Sequence, residues 1–165
     1  MTADLAECNN VDAPVFNFRR NDPAEFETLE KLIGSAEALH FVWPGARFPL
    51  VHSDWVDWME RSPRPVSYYV DVGGETVGHA GIFGSKDPMC AHIAWLFLSP
   101  HLRGEGMGQK FIQATEREAL KRPGIRRLTL RTNSFNPRAL HIYKKHHYQV
   151  TETHGDTIEM MKELV

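Results

Sequence analysis

The segment from Ala91 to Lys121 constrains the fold more than any other part of the chain. Ala91-His92-Ile93-Ala94-Trp95-Leu96-Phe97-Leu98 is long and apolar enough to be a central strand buried on both faces. Pro100 ends it, and Arg103-Gly104-Glu105-Gly106-Met107-Gly108 follows. A helix is predicted from about Gly108 to Lys121, with Phe111, Ile112, Thr115, Ala119 and Leu120 on one side and Pro123-Gly124 as its stop. Glycines let a backbone come close to a ligand, and a helix N-terminus points unpaired N–H groups and the positive end of its dipole at the loop before it. Strand, loop and helix together make an anion site suited to a pyrophosphate. Two familiar phosphate loops fail on residue identity. Gly108-Gln109-Lys110-Phe111 lacks the Gly-Lys-Ser/Thr of a Walker loop, and Gln109 stands where a dinucleotide fingerprint has its third glycine. Arg131 also occupies the place of that fingerprint's acidic residue. Taken alone, the loop is also open to a plainer reading, glycines that only make a tight turn.

Seven strands and about four helices are legible along the chain. Val15 to Arg20 alternates as a strand. Asp22-Pro23-Ala24-Glu25 reads as an N-cap, a first-turn proline and a capping-box glutamate, opening a helix with Phe26, Leu29, Leu32, Ile33 and Ala36 on one face. Leu39 to Leu50, with Trp43-Pro44-Gly45 and Phe48-Pro49, reads as irregular, and Ser53 as the cap of a short helix carrying Trp55, Val56 and Met59. Ser67 to Val72 and Thr76 to Phe83, joined by Gly73-Gly74, form a hairpin signal. Ile125 to Arg131 alternates as a strand, and Asn136-Pro137 caps a helix with Ala139, Leu140, Ile142 and Tyr143. Two last strands, Tyr148 to Thr153 and Thr157 to Lys162, flank His154-Gly155-Asp156. The expected architecture is a single α/β (α+β) domain over residues 1–165. One mixed, mostly antiparallel sheet of six to seven strands is flanked by about four helices, with residues 1–13 a loosely ordered segment.

A chain of 165 residues is large enough to bury a core without staples. Its net charge of -2 gives no global attraction to nucleic acid or to an anionic membrane. A local basic cluster at Lys121, Arg122, Arg126 and Arg127 reads as a solvated helix end and strand start, since no aromatic stacking pattern accompanies it. Cys8 and Cys90 are too few for a disulfide framework or a zinc site. With no signal peptide and no run near the ~18 apolar residues of a membrane span, the expected location is the cytoplasm, with neither nucleic acid nor membrane as partner.

Two motifs at a suitable separation carry a family resemblance. Leu96-Phe97-Leu98-Ser99-Pro100 followed by Arg103-x-x-Gly106-x-Gly108 resembles the acyl-CoA signature of GNAT N-acetyltransferases. Asn136-x-x-Ala139-x-x-x-Tyr143-x-x-x-x-Tyr148 resembles that family's second block, and the order of elements from Val15 to Lys162 fits as well. The resemblance implies an enzyme that transfers an acetyl group from acetyl-CoA, its co-substrate, to a primary amine of a small molecule or a protein. It further implies that the main chain of Leu96, Phe97 and Leu98 pairs with the pantetheine arm. Arg103, Gly104, Glu105, Gly106, Met107, Gly108 and Gln109 would form the pyrophosphate loop. Asn136 would touch the pantetheine end, besides capping its helix, and Tyr143 would stand beside the thioester sulfur. No metal is implied, and a homodimer stays open. The chain departs from the pattern at His147, where many members have glycine, and at Thr129, where a glutamate is often found.

Thr129 cannot act as a base at neutral pH, and this bears on the acceptor. Deprotonating a lysine-like amine at pH 7 costs about 4.6 kcal/mol, whereas an α-amine costs only about 1 kcal/mol. The chain therefore leans towards a low-pKa amine or a water relay. His92 is the remaining base candidate, on the same parity as Ala94, Leu96 and Leu98; a hydrogen-bonded core or surface histidine is its alternative reading. His79 carries the same two readings. His141 and His146 stand i, i+5 apart, a poor spacing for one helical face, so with His147 they do not make a metal site. Trp43, Phe48, Trp55 and Trp58 either wall an acceptor cleft, with Asp54 or Asp57 drawing a cation, or are core. Cys90 reads as packing rather than as an acyl-enzyme nucleophile.

Overall fold

A computed structural model describes residues 14–164; Cys8 and the segment 1–13 expected to be loosely ordered lie outside them. The strands are β1 (Asn17–Arg20), β2 (Val66–Val72), β3 (Glu75–Gly84), β4 (Cys90–Leu98), β5 (Arg127–Asn133), β6 (Gln149–His154) and β7 (Thr157–Glu163). They form one seven-stranded sheet in the order β1-β2-β3-β4-β5-β7-β6. Every neighbouring pair is antiparallel except β4–β5. The helices are α1 (Glu27–Leu32), α2 (Ala36–Val42), α3 (His52–Arg61), α4 (Met107–Ala119) and α5 (Pro137–Lys145), and a 3-10 turn spans Pro100–Leu102. The mixed, mostly antiparallel sheet is as expected, with five helices rather than about four.

The hairpin follows from its two glycines. Gly73 and Gly74 both take positive φ, 58° and 82°, the two-residue turn whose twist matches flanking strands, and Val72 pairs with Glu75 across it. The sheet buries apolar side chains on both faces. Ile82, Ala91, Ile93, Leu128, Leu130 and Met160 pack with Ile112 of α4, and Leu140, Ile142 and Tyr143 of α5 close over them. On the other face, Tyr69, Trp95 and Phe97 pack under Leu29, Leu39 and Trp55 of α1, α2 and α3.

The helical segment between β1 and β2 differs from the sequence reading. α1 begins at Glu27, not at Pro23, because Asn21 organises the chain before it: its Oδ1 accepts from the Glu25 N–H and its Nδ2 donates to the Glu25 carbonyl, both over 2.8 Å. Glu25 still caps, its carboxylate accepting from the Thr28 N–H over 2.6 Å. Tyr69 of β2 finishes the cap, donating to the Glu25 carbonyl (2.7 Å) and accepting from the Leu29 N–H (3.1 Å). The predicted single helix to Ala36 breaks after Leu32, and Ser35 caps a separate α2 by accepting from the Ala38 N–H over 3.1 Å. Leu39 to Val42 is therefore helical rather than irregular. Ser53 lies inside the first turn of α3, whose N-cap is Val51.

Candidate active site

Parallel pairing of β4 with β5 runs from Cys90–Arg127 to Ile93–Leu130 and stops there, although β4 continues to Leu98 and β5 to Asn133. The strands part because β4 carries a bulge. Trp95 and Leu96 together stand opposite Ala80 of β3, the register slipping between Gly81–Ala94 and His79–Phe97, and Trp95 takes φ 55°. Three residues hold this left-handed residue. Its indole packs against Trp43 (5.1 Å) and Trp58 (5.2 Å), and its carbonyl accepts a hydrogen bond from His79 Nδ1 over 2.9 Å. His79 Nε2 in turn accepts from the Ser67 hydroxyl over 2.7 Å. Burial holds the His79 imidazole down to about 4, so it stays neutral in this role.

Between the parted strands lies a cleft of about 410 Å³. Of the residues singled out in the sequence, Leu96, Phe97, Leu98, Arg103, Gly108, Asn136 and Tyr143 line it. Gly104, Glu105, Gly106, Met107 and Gln109 are not in the lining and sit at the N-terminus of α4, between Arg103 and Lys110. Gly104, Glu105 and Gly106 have φ of 99°, 53° and 78°, three successive left-handed residues that turn the chain into α4. A side chain at Gly104 or Gly106 would meet nothing within 4 Å, so the space before the helix N-terminus is open. Arg103 ties the loop to the strand end, donating from Nε to the Leu98 carbonyl over 2.8 Å with its guanidinium 5.3 Å from the Phe97 ring. Arg138 also lines the cleft, and its charge, after burial, lowers the Arg103 guanidinium. Free helical N–H groups beside two guanidiniums suit a diphosphate, and the β4 main chain past Ile93 is released from β5 to meet an extended arm. The chain's own residues fit a CoA-type ligand.

Asn136 caps α5 as expected, its Oδ1 accepting from the Ala139 N–H over 3.2 Å, and it lines the cleft as well. Burial raises the Tyr143 phenol to about 12, so it is a protonated donor at neutral pH. His147 stands where the resembled family often has glycine, and the turn keeps that geometry: His147 takes φ 69°, and the Tyr148 N–H returns to the Tyr143 carbonyl over 3.0 Å.

His92 falls outside the cleft lining. The bulge reverses the parity that linked it to Leu96 and Leu98. Ala94 packs with the α1–α3 face, whereas Leu96 and Leu98 turn to the α4 side with Phe111. His92 pairs with Thr129 in the ladder, its Nδ1 2.9 Å from the Thr129 hydroxyl. Burial first, then the nearby Arg131 charge, holds its imidazole down to about 4. The aromatic residues divide. Trp55 is core, Trp43 and Trp58 buttress Trp95, and Phe48 is exposed. Asp54 is taken by Arg47 over 3.0 Å. The aromatic wall comes instead from Phe41 of α2 and Phe135 before α5, with His40 stacked on Phe135 at 4.5 Å. Reading Leu39 to Leu50 as irregular hid the helical face that carries Phe41. Among the described residues no group of three or more His, Cys, Asp or Glu is arranged for a metal, and no helix is long and apolar enough to cross a membrane.

Residues 25–148 match the model of the acetyltransferase (GNAT) family. The chain belongs to this family. GNAT structures also share its fold. An aminoglycoside acetyltransferase, AAC(6')-Ib, solved with coenzyme A and kanamycin, superposes with a TM-score of 0.71 at 16% identity, covering 92% of this chain and 95% of that one. An acetyltransferase from Thermus thermophilus gives 0.74 at 18% identity, with 91% and 97% covered. The N-acetyltransferase PseH of Campylobacter jejuni, solved with acetyl coenzyme A, gives 0.65 at 13% identity, with 92% and 100% covered.

Proposed function

We propose that this protein transfers an acetyl group from acetyl-CoA to a primary amine by direct attack in a ternary complex. The observation that carries the reading is the parting of β4 and β5 after Ile93 and Leu130, which opens strand main chain, the α4 N-terminus and the Tyr143 phenol into one cleft. Leu96, Phe97 and Leu98 hold the pantetheine arm, residues Arg103 to Gln109 the pyrophosphate, and Asn136 the arm's far end. As the amine nitrogen bonds to the acetyl carbon and the carbon–sulfur bond breaks, Tyr143 gives its proton to the departing sulfur. The amine's own proton leaves through water. Cys90 is not a nucleophile in this scheme: its thiol is buried and raised, chiefly by desolvation.

The acceptor is an amine of low pKa. His92, held near 4, is a weak base, and the charged side chains lining the cleft among the described residues are Arg103, Arg131 and Arg138, with no carboxylate to draw a polycation. An acetyl-CoA turnover screen over aromatic amines, amino acids, N-terminal peptides and polyamines, following free thiol, tests this. Turnover with α-amines or aromatic amines and little with polyamines is expected, and the reverse preference overturns the acceptor class. Thr129 at the glutamate position favours one rival, a CoA-binding module without catalysis. Binding of CoA with no thiol released from any amine would establish it.

A further inference from the structure

The basic cluster seen in the sequence divides in the fold. Arg127 donates to Asp87 over 2.8 Å and lies 3.1 Å from the Glu163 carboxylate. Lys121 and Arg122 instead join Arg20 at the end of β1 and Arg64 from the α3–β2 connection around a second cavity of about 540 Å³, which shares no lining residue with the acetyl-CoA cleft. We infer that this cavity is an anion site for a phosphorylated small molecule.

Lys121 and Arg122 alone would only answer the negative end of the α4 dipole. Arg20 and Arg64 have no such reason to be there. Their charges reach Arg122 and, after its burial, help lower its guanidinium, a cost that a bound anion would remove. Arg122 is fixed in the wall, donating to the Ile82 carbonyl (2.7 Å) and the Arg64 carbonyl (3.3 Å). Arg64 is fixed as well. It takes φ 45°, uncommon for a residue with a side chain, and its guanidinium lies on Gly84, where an added Cβ would fall 2.5 Å from Nε. Glu118 is the one acid in the lining and is engaged by Lys121 over 2.6 Å. The Tyr68 phenol completes the lining, and burial raises it, so it remains an O–H donor. Three guanidiniums, an ammonium and a phenol match phosphoryl oxygens. A volume in the ~300–1,000 Å³ range of small-molecule sites fits a compact ligand better than a nucleic acid strand.

Calorimetry on the full chain with inorganic pyrophosphate, in excess CoA so that the cleft is blocked, tests the site. One equivalent should bind, and Arg64→Gln or Arg20→Gln should each weaken it at least tenfold while melting temperature holds. Arg126→Gln removes the same charge outside the cavity and should change affinity less than twofold. No binding, or equal losses from Arg20→Gln and Arg126→Gln, would overturn the site. Should CoA itself fail to bind, the acetyl-transfer reading fails, and the dependence of pyrophosphate binding on Arg20 and Arg64 still decides this one.

Discussion

His79 donates a hydrogen bond from Nδ1 to the carbonyl of Trp95 over 2.9 Å. The imidazole is buried, and its other nitrogen is occupied by Ser67. Trp95 is the residue at which β4 bulges, so a core histidine on an interior strand of the sheet satisfies the peptide group that shapes the cleft. A bulge leaves a peptide unpaired by the ladder, and an unpaired buried carbonyl costs roughly 1–3 kcal/mol.

Removing that donor should loosen the cleft without touching any ligand. His79→Phe is expected to lose about 1–3 kcal/mol of stability and to raise KM for acetyl-CoA more than it lowers kcat. His79→Gln, which keeps one donor and one acceptor, should restore most of both. Denaturant melts with steady-state kinetics decide it; a normal KM in folded His79→Phe would detach the bulge from the site.

The same histidine should set part of the acid stability. Its folded value of about 4 lies below the ~6.5 of an exposed imidazole, so between these values the unfolded chain binds the proton and the folded one does not. The contribution is present above ~6.5 and lost as pH falls through about 4, on the order of 3 kcal/mol in full. Denaturant melts from pH 7 to pH 4.5 should show a shallower loss in His79→Gln than in the wild type.

Gly106 and Gly124 separate torsional cost from ligand contact. Their φ values are 78° and 80°, and an added Cβ meets nothing within 4 Å at either. Each alanine variant should lose roughly 1–2 kcal/mol for its left-handed residue. Only Gly106→Ala should also weaken acetyl-CoA, at least tenfold by calorimetry, because its open space faces the loop's ligand. Equal affinities in the two variants would remove the loop from the site.

Tyr143→Phe keeps the ring and removes the hydroxyl. Acetyl-CoA affinity and melting temperature should hold while kcat falls about 100-fold, the lower end of general-acid effects, since a thiol is already a fair leaving group. With the phenol raised to about 12, wild-type kcat should show no loss from this group below pH ~10. Unchanged turnover in the variant would leave Tyr143 a packing residue.

His92→Gln tests whether this histidine takes any part in proton removal. His92 lies outside the cleft lining and its Nδ1 is 2.9 Å from the Thr129 hydroxyl, so the variant should keep kcat within about twofold at unchanged acetyl-CoA affinity. A fall of about 10-fold or more would make it the base.

Local chemistry made much of this protein readable from its sequence. Gly73-Gly74 can hardly be anything but a two-residue hairpin turn, and Asn136-Pro137 opens α5 as a cap and first-turn proline should. Leu96 to Leu98, Asn136 and Tyr143, marked by the family resemblance, line the cleft, whereas of the loop from Arg103 to Gln109 only Arg103 and Gly108 reach it. The α1–α2 break was less legible, since Asn21 and Ser35 compete with a continuous apolar periodicity. Parity along β4 was not legible at all. Strict alternation places His92 with Leu96, yet one extra residue at Trp95 puts them on opposite faces. That bulge exists because His79, held by Ser67 of β2, converges on Trp95 from β3 with Trp43 after α2 and Trp58 of α3. Periodicity and caps are short-range properties that a sequence states directly. The width of the cleft, the Phe41–Phe135 wall and the meeting of Arg20, Arg64 and Arg122 depend on contacts between distant segments, and only the packed fold determines those.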